Sequence, residues 1–144
     1  MITTLIVGTM DIVSALIMAV ARGSTPMRLL QFVASGLLGR DAFQGGPATA
    51  ALGLALHFLI AFAVVIVFFF ARQRLAFTRQ WPIASGIGYG LLVYGVMNAV
   101  VLPLSRAPVR HSLVPDLIQI AIHMFIIGLP TSLLLRRFSG ASAS

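Results

Sequence analysis

Four side chains in this sequence carry chemistry into places where hydrocarbon is expected. Asp11, His57, Asn98 and His123 each interrupt a long apolar run. Gln119 precedes His123 by one helical turn, and Asp116 lies a turn earlier on the same stripe. Counted from run ends near residues 21, 49, 104 and 115, the four lie roughly 9–15 Å deep in helices rising about 1.5 Å per residue. Side chains at similar depth can share one buried polar layer.

Such a layer admits four kinds of chemistry. Asn98, Gln119 and the two histidines can simply hydrogen-bond between helices, at roughly 0.6 kcal/mol each. Asp11 fits this reading least well, because a lone carboxylate in hydrocarbon takes up a proton or pairs with a histidinium. Asp11, His57 and His123 together form a proton or ion path. Two neutral imidazoles, His57 and His123, are the ligand set for a haem b between the second and fourth helices. One carboxylate and two histidines suit iron or zinc if Asp11, His57 and His123 converge.

The elements that hold these residues are transmembrane helices. Residues 49–71 read TAALGLALHFLIAFAVVIVFFFA; as a helix this stretch is roughly 34 Å long, against a hydrocarbon core of about 30 Å. The 144-residue chain is 59% hydrophobic and 9% charged, where a soluble domain carries about 25% charged residues. The fold class is therefore an all-α integral membrane four-helix bundle, one domain over residues 1–138, with spans at about 2–21, 49–71, 83–104 and 115–135. The first run is a span and not a cleaved signal: no basic residue precedes it and Asp11 sits in its middle. Between the first two spans, Ser24-Thr25-Pro26 starts a short helix, about 26–38, by a hydroxyl cap followed by Pro. It is too short and too charged to span, and is expected in the interface or folded back on the bundle. Residues 139–144 are a small polar tail, expected to be disordered.

Charge gives the setting. All ten basic residues are Arg, Glu is missing, and the net charge is +7. The Arg residues cluster at the ends of apolar runs, the pattern of membrane anchoring and not of nucleic-acid binding. The loop 72–81 and the C-terminus hold five Arg and no acid; Arg22, Arg28, Arg40, Arg106 and Arg110 share the other side with Asp41 and Asp116. The tight groups Arg72/Arg74 and Arg136/Arg137 place both termini inside. Trp81 is an interfacial anchor. With no Cys there are no disulfides, thiolate zinc sites or cysteine-held iron–sulfur clusters.

Small residues mark packing faces. Thr4, Gly8, Asp11 and Ala15 share one stripe, and Ala50, Gly53, His57 and Ala61 another. On the third span Gly88, Gly95 and Asn98 align, and Gly86-x-x-x-Gly90 gives a second close-packing pattern. Gly86-Ile87-Gly88-Tyr89-Gly90 is neither a dinucleotide fingerprint nor a potassium filter, since it opens an apolar helix. His111 reads as a loop residue. No catalytic spacing of Ser, His and Asp is present, and the chain reads as a non-enzyme. A short echo, ALHFLI at 55–60 and AIHMFI at 121–126, hints at two related helix pairs.

The order of features resembles that of a known family. His57 opens a second-span segment ending in Arg; Trp81-Pro82, a glycine-bearing helix, Asn98 and Pro103-Leu104-Ser105 follow; His123 lies in a last helix ending in Arg136-Arg137. Over about residues 50–137 this resembles the YagU-like family of bacterial inner-membrane proteins, whose function is uncharacterised and which is linked to acid stress. The resemblance implies a bacterial inner-membrane location and interest in His57 and His123, and no reaction. Taken together, the sequence reads as a small multi-pass membrane protein. Its buried polar layer serves proton or ion movement, or the chain is an accessory subunit. A bis-histidine haem b carrier and a purely structural layer are the alternatives, and a homo-oligomer or larger membrane complex is the expected assembly.

Overall fold

The computed structural model describes residues 1–108 and 112–140. Arg110 and His111, and the tail from 141 to 144, lie outside the described residues. All the regular structure described is helical. Four helices have the length and apolar character to cross a membrane: α1 (Ile2–Ala21), α3 (Gly46–Arg74), α5 (Pro82–Leu104) and α6 (Leu113–Phe138). Two shorter helices join them, α2 (Pro26–Leu38) and α4 (Ala76–Gln80). The last helical segment runs on to Gly140, so the expected disordered tail begins with two helical residues.

The breaks between elements have local causes. Gly23 takes φ +77° just past α1 and turns the chain there. The Thr25 hydroxyl accepts a hydrogen bond from the Arg28 N–H at 3.2 Å, and Pro26 fills the first turn of α2, as its spacing predicts. After α2 a tight turn, Gly39–Gln44, leads into α3. There the Thr49 hydroxyl donates to the Ala42 carbonyl at 2.7 Å and ties the turn to the helix.

The spans are held by short-range backbone contact. In α5, Gly86 and Gly90 lie against the α6 backbone, and Gly128 of α6 lies against Gly86 and Gly90 in return. A Cβ on Gly90 would run into the His123 carbonyl, and one on Gly128 into Gly86. Small residues let membrane helices approach this closely, so Gly86-x-x-x-Gly90 packs as its spacing predicts. Gly53 plays the same part under α2, where a Cβ would meet the Leu30 carbonyl. The outward faces carry large aliphatic side chains such as Ile17, Leu59, Val67 and Leu92, all more than half exposed, which suits contact with lipid.

Two expectations for α5 need correction. Gly95 was expected to pack between helices, and the stripe Gly88, Gly95 and Asn98 to face inward. Nothing lies within 4 Å of a Cβ at Gly88 or Gly95. The reason is angular. Residues two apart on an α-helix are separated by about 200°, so Gly88 and Gly90 cannot both face α6. The contact with Gly128 selects Gly86 and Gly90 and turns the other stripe away.

Helix α2 lies across one end of the bundle. Leu30 and Ala34 rest on Gly53 of α3. The Gly36 carbonyl accepts from the Arg106 N–H beyond α5 at 3.0 Å. Leu29 and Phe32 share a cleft with Ala15 and Met18 of α1 and Gln119 of α6. Its buried face holds Gln31, Ala34 and Ser35. The Gln31 amide closes the end by donating to the Gly46 carbonyl at 3.1 Å. The short helix thus forms a roof over the four spans.

Placing a valine at Gly90 should cost about 1–3 kcal/mol or more through overpacking. Ala at Gly95 should change stability by less than about 0.5 kcal/mol. Thermal melts of the two variants in mild detergent would show the difference, and equal melting temperatures would argue against the α5–α6 contact.

Candidate functional site

Beneath the α2 roof lies a cavity of about 130 Å³ to which all four spans contribute. Asp11 comes from α1, His57 from α3 and His123 from α6; Val93 and Met97 of α5 and Val33 of the roof supply apolar wall. The three titratable residues expected to converge do so here.

His57 is buried, with 8% of its surface exposed. Its Nε2 lies 2.9 Å from the Gly8 carbonyl oxygen. A carbonyl only accepts, so Nε2 carries the proton and donates. The other ring nitrogen, Nδ1, faces the Asp11 carboxylate at 3.9 Å. The Phe58 ring and Ala61 fill the space beside Gly8, where a Cβ would lie 2.9 Å from the Phe58 ring. Gly8 therefore keeps α1 close enough to α3 for its carbonyl to reach the imidazole.

His123 is fixed in the opposite tautomer. Its Nδ1–H donates to the Gln119 carbonyl one turn back at 2.8 Å, which leaves Nε2 as its free acceptor. The ring meets Tyr94 edge to face at a centroid distance of 5.5 Å. His123 also opens a wide π-helical segment, His123–Gly128, and α5 has another at Met97–Val101. Each lies just before a proline. A proline ring clashes with the carbonyl four residues earlier, here Ala99 for Pro103 and Ile126 for Pro130, and each of those lies inside a π segment. Wide turns of this kind gather at functional sites.

The remaining residues of the expected layer stand apart from the cavity. The Asn98 amide donates to the Tyr94 carbonyl of its own helix at 2.9 Å. Gln119 contributes its backbone carbonyl to His123, while its side chain lines the cleft under α2 near Arg22 and Arg28. Asp116 accepts from the Ser112 N–H at 3.2 Å and closes the first turn of α6. The layer is a triad from three helices and not a ring from four.

The cofactor readings can be tested on this geometry. Among the described residues no three His, Asp or Glu side chains stand close enough to hold one metal ion. Haem fits no better. The His57 Nε2 is committed to the Gly8 carbonyl and its Nδ1 faces Asp11. The cavity of about 130 Å³ is also small, since pockets for ligands of drug size run to about 300–1,000 Å³. At roughly 30 Å³ per molecule it has room for about four waters.

Sequence reasoning missed three contributors to the site. The signal for the π turns was present in Pro103 and Pro130. Gly128 follows a plain apolar run and gave no cue. Val33 reaches the cavity only because α2 crosses the end of the bundle, which no local pattern encodes. Comparison with protein-family models, with curated proteins and with solved structures finds no match to the chain.

Protein purified from its native membrane should show no Soret or α band in a reduced-minus-oxidised spectrum. A band that disappears in the His57→Ala variant would overturn the assignment of His57 to Gly8 and Asp11.

Proposed function

We propose that this chain is a proton-handling membrane protein whose working groups are Asp11, His57 and His123. The observation that carries the reading is their meeting at one cavity, each imidazole held in a defined tautomer by a backbone carbonyl. Ionisable groups inside a membrane bundle are costly, and where they occur they mark ion pathways and proton relays.

The chemistry is one of proton position. With Nε2 of His57 donating to Gly8, one further proton resides either on the Asp11 carboxyl or on His57 Nδ1 across the 3.9 Å gap. The first arrangement is neutral and the second is an ion pair. Coulomb attraction at this distance is about 4 kcal/mol at an effective dielectric near 20. Removing each ion from water costs several kcal/mol. Terms of like size oppose one another, so neither arrangement is locked. His123 Nε2 is the acceptor to which the proton passes, through water in the cavity where direct reach fails.

The setting we infer is the bacterial inner membrane, with both termini cytoplasmic. The grouping of Arg72, Arg74, Arg136 and Arg137 at one end supports the orientation, and the YagU-like resemblance supports the membrane. Val33 and its neighbours on α2 then cover the cavity from the outer side.

The test is proton flux into liposomes carrying the protein, driven by a potassium diffusion potential and read by an internal pH dye. Wild-type protein should acidify the vesicles. Asp11→Asn should abolish the signal with helical content unchanged, and Asn98→Ala should leave the flux intact. Equal flux in wild type and Asp11→Asn, or no flux from folded wild type, would remove the reading and leave the triad a packing device.

A further inference from the structure

The cavity of Asp11, His57 and His123 has a neighbour on the lipid side. A groove of about 300 Å³ runs between α3 and α5, walled by residues of those two helices alone. Ile60 and Val64 of α3 and Val93 and Met97 of α5 belong to the walls of both spaces. Each pair is spaced i, i+4 and so lies on one helix face. Four apolar side chains thus divide the polar cavity from a groove whose outer wall, Val67, Leu92 and Val96, is exposed. The glycine contacts draw α5 to α6, α3 to α2 and α1 to α3, and among the described residues none draws α3 to α5. A hydrogen bond crosses this seam one turn of α5 nearer the Arg-rich end, where the Tyr89 hydroxyl donates to the Val64 carbonyl at 2.6 Å. The divider itself includes Met97, whose unbranched side chain adapts readily to a neighbour.

The cavity presents acceptors. His57 spends its N–H on Gly8 and His123 spends its N–H on Gln119. The ring nitrogens left over, Nδ1 of His57 and Nε2 of His123, accept. The Asp11 carboxylate accepts as well, and among the described residues nothing donates a hydrogen bond to it. Its side chain keeps 26% of its surface exposed, so a ligand can reach it. No Arg borders either space. Acceptors, one of them anionic, beside an apolar groove match one kind of ligand: a positively charged N–H donor on an apolar body. A metal ion matches less well, since among the described residues no three ligands stand close enough to hold it and it makes no use of the groove.

We propose that the cavity and the groove together bind a lipophilic ammonium ion, which enters from the bilayer between α3 and α5. Its N–H groups donate to the Asp11 carboxylate and to His123 Nε2, and its apolar body lies in the groove. The cavity takes the head alone, and the groove reaches the lower end of the about 300–1,000 Å³ usual for ligands of drug size. The proposal rests on the assignment of Asp11, His57 and His123 to proton handling, and names the ion that competes with the proton. Facing Asp11 are His57 from α3 and His123 from α6; α2 and α5 bring only the uncharged Val33, Val93 and Met97. The proton shared by Asp11 and His57 leaves to water as the cation arrives. The cavity stays neutral overall, and each ion bound releases one proton.

Equilibrium dialysis of the full chain in mild detergent, corrected against protein-free micelles, tests this with naphthylethylammonium, naphthylethanol and naphthylacetate, which share one apolar body. Wild-type protein should bind the ammonium about tenfold more tightly than the alcohol or the acetate. Its binding should tighten by up to about tenfold per pH unit as pH rises, with proton release read by a dye in weak buffer, while binding of the alcohol stays constant. Asp11→Asn should weaken ammonium binding about tenfold and spare the alcohol. Ala63→Trp, in the groove wall and outside the cavity, should weaken both, and Asn98→Ala should alter neither. Equal binding of ammonium and alcohol by wild-type protein would overturn the proposal without recourse to any variant. Ammonium binding unaltered in Asp11→Asn, or displacement of the ammonium by an equal concentration of sodium, would overturn it as well. The two functional proposals fail separately. Asp11-dependent flux in liposomes with no preference for the ammonium removes only this one, and proton release on binding without flux removes the flux and leaves the site.

Discussion

The close approach of α5 to α6 is the constraint on which the rest of the bundle depends. Gly90 meets the backbone of His123 itself, and Gly128 meets Gly86 and Gly90. In lipid there is little hydrophobic drive between helices, so such steric fit carries much of the association. It fixes the rotation of α6 about its axis and with it the place of the His123 ring. It also fixes the rotation of α5, which sends Gly95 outward and leaves Asn98 to bond its own helix.

A second constraint follows from the solvent. Backbone and side-chain polar groups within hydrocarbon need partners inside the protein. Each histidine meets this need by donating to a backbone carbonyl, His57 to Gly8 and His123 to Gln119. One ring nitrogen of each is thereby spent on structure and one is left for chemistry. The same bonds that a purely structural layer requires are the bonds that define the tautomers, so the architecture and the proposed proton chemistry rest on the same contacts.

The sequence revealed most of the scaffold and part of the site. Span positions, the Thr25-Pro26 helix start and the Gly86/Gly90 packing follow from hydropathy, capping and small-residue spacing, which are local properties. Convergence of Asp11, His57 and His123 followed from depth and stripe arguments. Depth alone could not place Asn98 or Gln119, because it says nothing about rotation. On α5 two glycine stripes competed, and only the partner surface on α6 decides between them. The placement of α2 over the cavity is a tertiary fact with no signature along the chain.

The wide turn at His123–Gly128 has a consequence for how the chain tolerates change in length. A π segment holds one residue more per turn than an α-helix, so it acts as a stored insertion. Removing one residue there would let the helix close to ordinary α geometry and leave everything after it in nearly the same rotational phase. Gly128 would still face Gly86, and Thr131 and Ser132, both fully buried, would stay inside. The segment can therefore give up a residue while the two halves of α6, one at the cavity and the other at the Arg-rich end, keep their facing.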